Sequence, residues 1–148
     1  MGQKQSYILG LLGLTPFIII FLMYFISPPN DEIYDLMIFI YIAYAAIISS
    51  FLGGIQWGLI TAFADKIYYV FTPLFISVIP ALISWVALLS LENLKLSLVL
   101  LLFGFVISLF HDFYLYQQLL ITPLWFITMK VILSLTVSML TIILIIFV

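Results

Sequence analysis

Residues 96–116 read LSLVLLLFGFVISLFHDFYLY, and Asp112 is the one formally charged side chain among them. A membrane-spanning helix needs about 20 mostly apolar residues, because the hydrocarbon core of a bilayer is about 30 Å thick. Over the whole chain of 148 residues, 67% are hydrophobic and 7% are charged, whereas soluble domains average about 25% charged residues. So few charges cannot cover a water-exposed surface, and the sequence therefore predicts that lipid surrounds most of the chain.

Four further stretches are also apolar and long enough to cross the bilayer, and the longest of them is 36–63. The sequence predicts membrane spans at about 7–26, 36–63, 70–90, 96–116 and 126–147. Strands of a membrane barrel are about 10 residues long and alternate polar with apolar residues. These runs are longer and apolar throughout, so they do not fit such strands. We therefore expect an all-α membrane protein, a bundle of five transmembrane helices formed by residues 1–148 as one domain.

The connections between the predicted spans are short and polar. Prolines 28 and 29 are expected to end the first helix, because proline disfavours helix in the residue before it. Residues 31–35, DEIYD, are expected to form an acidic loop. The first span is expected to be retained and not cleaved as a signal peptide, since its apolar run exceeds a typical signal core.

Composition argues against several classes of function. Arginine is absent and the four lysines are scattered, whereas nucleic-acid binding needs clustered cations. With one histidine and no cysteine, the chain lacks the residues of a usual zinc site. The sequence contains no nucleophile elbow, Walker loop or metalloprotease motif. We therefore expect no enzyme, no cofactor, no metal and no nucleic acid, with the lipid bilayer as the main partner.

The lysines predict an orientation, because cytoplasmic loops carry more lysine and arginine. With five spans, Lys4, Lys66 and Lys130 fall on one side, and Lys95 falls on the other. The N-terminus is then cytoplasmic and the C-terminus outside. The preference for isoleucine and lysine with no arginine is typical of an AT-rich bacterial genome, so we expect a bacterial cell inner membrane.

Small residues recur every fourth position along the second span and predict close helix packing. They form one ridge, which consists of Ala46, Ser50, Gly54, Gly58 and Ala62, and Ala45, Ser49 and Gly53 form a second ridge beside it. In lipid, small residues allow backbones to approach closely and gain dispersion contacts. The first ridge is expected to pack against another helix of the chain, or to form the seam of a homo-oligomer or of a larger membrane complex.

Four polar side chains within the spans form a candidate intramembrane site: Gln56, His111, Asp112 and Lys130. Ionisable groups at membrane depth are costly and commonly functional. The fourth and fifth spans are antiparallel neighbours in sequence, so Asp112 and Lys130 can meet at similar depth. An ion pair that holds the helices together is one interpretation. A proton relay, a small transporter or a site for a polar headgroup is the other.

Three pieces of the sequence resemble one family. Residues 50–58, SFLGGIQWG, are similar to the signature of the uncharacterised family around transmembrane protein 69, which contains a domain of unknown function numbered 3429. Gly104-Phe105 with Asp112, and Pro123-Leu124-Trp125-Phe126 with Lys130, extend the resemblance. Phe126 stands where the family pattern has tyrosine, and Lys130 where arginine is expected. The resemblance implies a bacterial inner-membrane or mitochondrial inner-membrane protein, and it brings no established activity with it.

Overall fold

The computed structural model describes residues 2–27 and 31–148. Within these residues the fold is entirely helical, and five of the helices are long and apolar enough to cross a membrane. The helices are α1 (Gly2–Ile26), α2 (Asp31–Ala62), α3 (Phe71–Leu89), α4 (Leu94–Gln117) and α5 (Leu124–Phe147), and a short 3-10 turn at Ala64–Lys66 follows α2. The all-α fold of five spans predicted from hydropathy is confirmed.

Two helices begin earlier than the sequence predicted. Helix α1 begins at Gly2 and not near residue 7, and α2 begins at Asp31. The prediction of an acidic loop at residues 31–35 is therefore wrong, because these residues form the first turns of α2. Carboxylates are favourable there, since the N-terminus of a helix carries a partial positive charge. The predicted end of the first helix at prolines 28 and 29 lies outside the described residues.

Helices α4 and α5 also start two residues before their predicted limits. The side-chain oxygen of Asn93 accepts a hydrogen bond from the backbone nitrogen of Leu96 at 3.0 Å and caps α4. This cap satisfies a backbone donor that the first turn of a helix leaves without a partner. Pro123 precedes α5, where its lack of an N–H group costs nothing.

The five helices form a closed ring. Each helix packs against its neighbours in sequence, α5 returns to α1, and α2 also contacts α4 across the ring. The Tyr7 hydroxyl donates to the Trp125 carbonyl at 3.1 Å, so α1 and α5 begin at the same end. That end, where α2 and α4 finish and α3 begins, is called the N-terminal end below.

Two apolar clusters fill the inside of the bundle. The larger one includes Phe17, Tyr41 and Phe105, and the smaller one, near the N-terminal end, includes Ile60 and Leu115. On α4, residues 111 and 112 lie between Phe105 of the larger cluster and Leu115 of the smaller one. The polar residues of α4 are thus placed between two apolar layers.

Candidate functional site

The structure brings the four candidate polar residues into one contact group. Gln56 comes from α2, His111 and Asp112 come from α4, and Lys130 comes from α5. Their exposed fractions are 0%, 4%, 2% and 2%, respectively. The group therefore joins three helices inside the bundle, near its N-terminal end.

The ion pair lies at the centre of this group. Lys130 Nζ is 2.6 Å from Asp112 Oδ1, and Gln56 Nε2 donates to the same oxygen at 2.9 Å. A charge buried without a partner costs several kcal/mol, and this cost falls when the partner is close and further hydrogen bonds are made. The lysine also lies 5.5 Å from the centre of the Phe126 ring, which attracts a cation through its π face.

Asp112 sets the orientation of Gln56 and, through it, the proton position on His111. An ionised carboxylate only accepts hydrogen bonds, so the amide nitrogen of Gln56 must face Asp112. The amide oxygen then faces His111 Nδ1 at 3.0 Å. Because that oxygen also only accepts, Nδ1 must carry a proton. A neutral His111 therefore leaves its Nε2 atom as an acceptor.

Ser108 completes the group and was missed in the sequence. Gln56 Nε2 donates to the Ser108 carbonyl at 2.8 Å and lies 3.1 Å from its hydroxyl oxygen. Ser108 precedes Asp112 by four positions, and residues four apart lie on the same face of a helix. That spacing was the available signal, but serine is too common in membrane helices for the spacing alone to single it out.

Two side-chain polar atoms that have almost no accessible surface lack a hydrogen-bond partner among the described residues. They are Nε2 of His111 and Oγ1 of Thr122, and Thr122 lies in the connection between α4 and α5. The His111 ring stacks on Tyr114 with their centres 6.1 Å apart. Chemically, the group can hold one proton on His111, balance the charges of Asp112 and Lys130, and tie three helices together.

The residues that the structure describes contain no group of three or more histidine, cysteine, aspartate or glutamate side chains that could hold a metal ion. The polar group supplies one imidazole and one carboxylate, and the carboxylate is already paired with Lys130. The group is therefore better suited to holding helices together than to ligating a metal.

The first small-residue ridge of α2, from Ala46 to Ala62, is placed differently from the prediction. Ala46 is buried, whereas Ser50, Gly54, Gly58 and Ala62 are exposed. A Cβ atom built at Gly54 or Gly58 would have no neighbour within 4 Å. The prediction that this ridge packs against another helix of the chain is therefore wrong except at Ala46, because no helix among the described residues covers that face. A seam with a second protein is not affected by this finding.

The neighbouring ridge makes the close contacts instead. Ala45, Ser49 and Gly53 are all buried. A Cβ atom at Gly53 would overlap the carbonyl oxygen of Ser77 on α3, and the Ser49 hydroxyl donates to the Pro80 carbonyl at 3.4 Å. Helix α2 thus uses one of its two small ridges for α3 and leaves the other open.

Comparison with known proteins gives a family and no established activity. The family model described as "Protein of unknown function (DUF3429)" matches residues 2–146. The chain is 34% identical over 133 residues to "Transmembrane protein 69" of Xenopus tropicalis. The aligned region covers 90% of this chain and 50% of that protein. It is 28% identical over 136 residues to "Transmembrane protein 69" of Mus musculus, covering 88% of this chain and 51% of that protein.

The chain thus spans about half the length of these curated relatives. No solved structure matches it. The family model covers nearly the whole chain, from the start of α1 to within α5, so the likeness extends over all five helices. The chain is a multi-pass membrane protein that belongs to the DUF3429 family of proteins of unknown function.

Proposed function

We propose that this protein is a non-enzymatic membrane component that associates with another transmembrane helix through the open ridge of α2. The observation that carries the proposal is the exposure of Ser50, Gly54, Gly58 and Ala62 on a helix whose other small ridge is already packed. In lipid, a face of small residues lets a second backbone approach closely, and large lipid-facing side chains prevent this. The partner is a second copy of the chain or a helix of a larger complex.

The polar group supports a role in holding the bundle together. Asp112, Lys130 and Gln56 make their contacts with one another and are almost fully buried. A transport site must exchange its ligand with both sides of the membrane, whereas apolar clusters of described residues lie on either side of this group along the bundle. A rigid bundle is what an association surface on α2 requires.

Bulk on the open ridge tests the proposal. Gly54→Leu should reduce the size of the assembly extracted in mild detergent, because the leucine side chain forces the two backbones apart. Val99→Leu adds bulk to the lipid-facing side of α4, where Val99 is 44% exposed, and should leave the assembly unchanged. An assembly of unchanged size in the Gly54→Leu protein, or a wild-type protein that is extracted with neither a second copy nor another membrane protein, would rule out association through this ridge.

Proton handling is the second candidate, and one observation favours it. His111 Nε2 is buried with no partner among the described residues, and it lies at one end of a chain of contacts that runs through Gln56 and Asp112 to Lys130. His111 and Asp112 can each take up and release a proton, and the Gln56 amide between them orients both side chains. In this case Asp112→Asn would leave a well-folded protein that no longer carries protons across vesicle membranes. Under the structural role, the same variant loses stability.

The proposed location is a bacterial cell inner membrane with the N-terminal end of the bundle in the cytoplasm, and a mitochondrial inner membrane is the alternative. Lys4 and Lys66 are exposed at the N-terminal end, and Lys95 is exposed at the opposite end. Lys130 belongs to a buried ion pair, so it adds little to the positive charge on its side. Two exposed lysines therefore favour a cytoplasmic N-terminal end, and one exposed lysine favours the opposite orientation.

A further inference from the structure

A cavity of about 430 Å³ lies between α1, α2, α4 and α5, and its wall is almost entirely apolar. Leu9 and Phe51 line it and are 68% and 62% exposed, so the cavity is reached from the lipid side. Its size is within the usual range of small-molecule sites. Part of the space exists because Gly13 lines the wall, where a Cβ atom would meet nothing within 4 Å.

Two polar side chains of α5 line this apolar cavity, and each has at least one donor that makes no hydrogen bond to another described residue. Ser134 is 6% exposed, and its hydroxyl has no hydrogen-bond partner among the described residues. Lys130 has three donors and makes one hydrogen bond, to Asp112. The two residues are four positions apart and thus lie on one face of the helix. A ligand with two oxygen acceptors would satisfy both of them.

The charges favour an uncharged ligand. Lys130 is already balanced by Asp112 at 2.6 Å, so an anionic ligand would leave one negative charge buried without a partner, which is costly. A neutral carbonyl oxygen can accept a hydrogen bond from the ammonium group and adds no net charge.

The depth of the two donors argues against an ordinary phospholipid. Lys130 and Ser134 follow the first residue of α5 by six and ten positions, which places them about 9 and 15 Å along the helix at about 1.5 Å per residue. The hydrocarbon core is about 30 Å thick, and phospholipid oxygens lie in the interfacial regions outside it. Ser134 is therefore at a depth that only the acyl chains of a phospholipid reach.

The cavity also offers aromatic surface for a flat ring. Its wall contains four phenylalanines: Phe17, Phe51, Phe105 and Phe126. Aromatic rings pack favourably with one another in offset or edge-to-face arrangements. We propose that the cavity binds an uncharged lipophilic quinone, whose ring carbonyl oxygens accept hydrogen bonds from Lys130 Nζ and Ser134 Oγ, while its tail leaves past Leu9 and Phe51 into the lipid.

Native mass spectrometry of the purified full chain with a decyl-substituted benzoquinone tests this proposal, because it identifies the bound molecule by its mass. We expect saturation at one quinone per chain. Ser134→Ala should weaken binding about threefold to tenfold, the effect of one neutral hydrogen bond. Ser138→Ala, on the same helix but outside the cavity wall, should bind like the wild type.

Gly13→Phe fills the cavity and should abolish quinone binding. Val99→Phe adds the same ring on the lipid-facing side of α4, outside the cavity wall, and should leave binding unchanged. Ser134→Ala removes a single hydroxyl group and decides the question if the bulkier variants do not fold. The proposal is overturned if the quinone does not saturate, if Ser134→Ala binds like the wild type, or if the protein retains a phospholipid or fatty acid that the quinone cannot displace.

Discussion

At the scale of single residues, the contact between Asp112 and Lys130 is the feature on which the bundle depends most. Both side chains are 2% exposed, and their charged atoms are 2.6 Å apart. Removal of one partner from a buried pair is strongly destabilising because it leaves an uncompensated charge, whereas replacement of both partners by neutral groups often costs little. Single variants of the pair should therefore lose much more stability than the double variant.

Asp112→Asn should lower the free energy of unfolding by about 3 kcal/mol, because it leaves the ammonium group of Lys130 buried without a counter-charge. Combination with Lys130→Met removes that charge and should restore much of the loss. Thermal unfolding in detergent, followed by the helical circular dichroism signal, measures both effects. A single variant as stable as the wild type would contradict the structural role of the pair.

The sequence could predict these residues but not their network. Asp112 and Lys130 are conspicuous because charges are rare in the spans, and the antiparallel order of α4 and α5 brings them to similar depth. The network depends on α2 contacting α4 across the ring, which places Gln56 beside Asp112. Periodicity within a helix carries no information on that contact, so the part played by Ser108 could not be derived.

At the scale of the helix, α2 shows why a pattern of small residues is ambiguous. Two ridges lie side by side and differ by one position, and both have the four-residue spacing that permits close packing. Their roles are decided by α3, whose Ser77 carbonyl comes against Gly53. The sequence indicated that α2 packs closely, and the position of α3 decided on which face it does so.

Gly53→Ala should destabilise the protein by about 1–3 kcal/mol, because the added methyl group overlaps a backbone oxygen that cannot turn away. Gly54→Ala is the matched control one position along, where the methyl group meets open space and should leave the melting temperature unchanged or slightly raised. Both variants can be compared in the same detergent. Equal stability of the two proteins would mean that α3 does not approach α2 at Gly53.

At the scale of the whole molecule, hydropathy was sufficient to give the number of helices but not their arrangement. The length of each apolar run fixes a span, since the bilayer has a set thickness. The closed ring in which α5 returns to α1 depends on contacts between distant parts of the chain, such as the hydrogen bond from Tyr7 to the Trp125 carbonyl. The cavity is a product of that ring, because helices from both ends of the sequence form its wall.

The five-span topology is tested most directly by labelling single cysteines, which is simple because the chain has none of its own. Lys66→Cys, Glu92→Cys and Gln118→Cys place one thiol in each of three successive connections, all at exposed positions. Val99→Cys, in the lipid-facing part of α4, serves as the control and should not react with a charged, membrane-impermeant maleimide.

In intact cells we expect the maleimide to label the cysteine at position 92, and to label those at 66 and 118 only after the membrane is opened. Labelling of positions 66 and 118 alone in intact cells would keep the five spans and reverse the orientation. Labelling of all three positions from the same side would contradict the alternating crossings of α3 and α4, and with them the bundle described above.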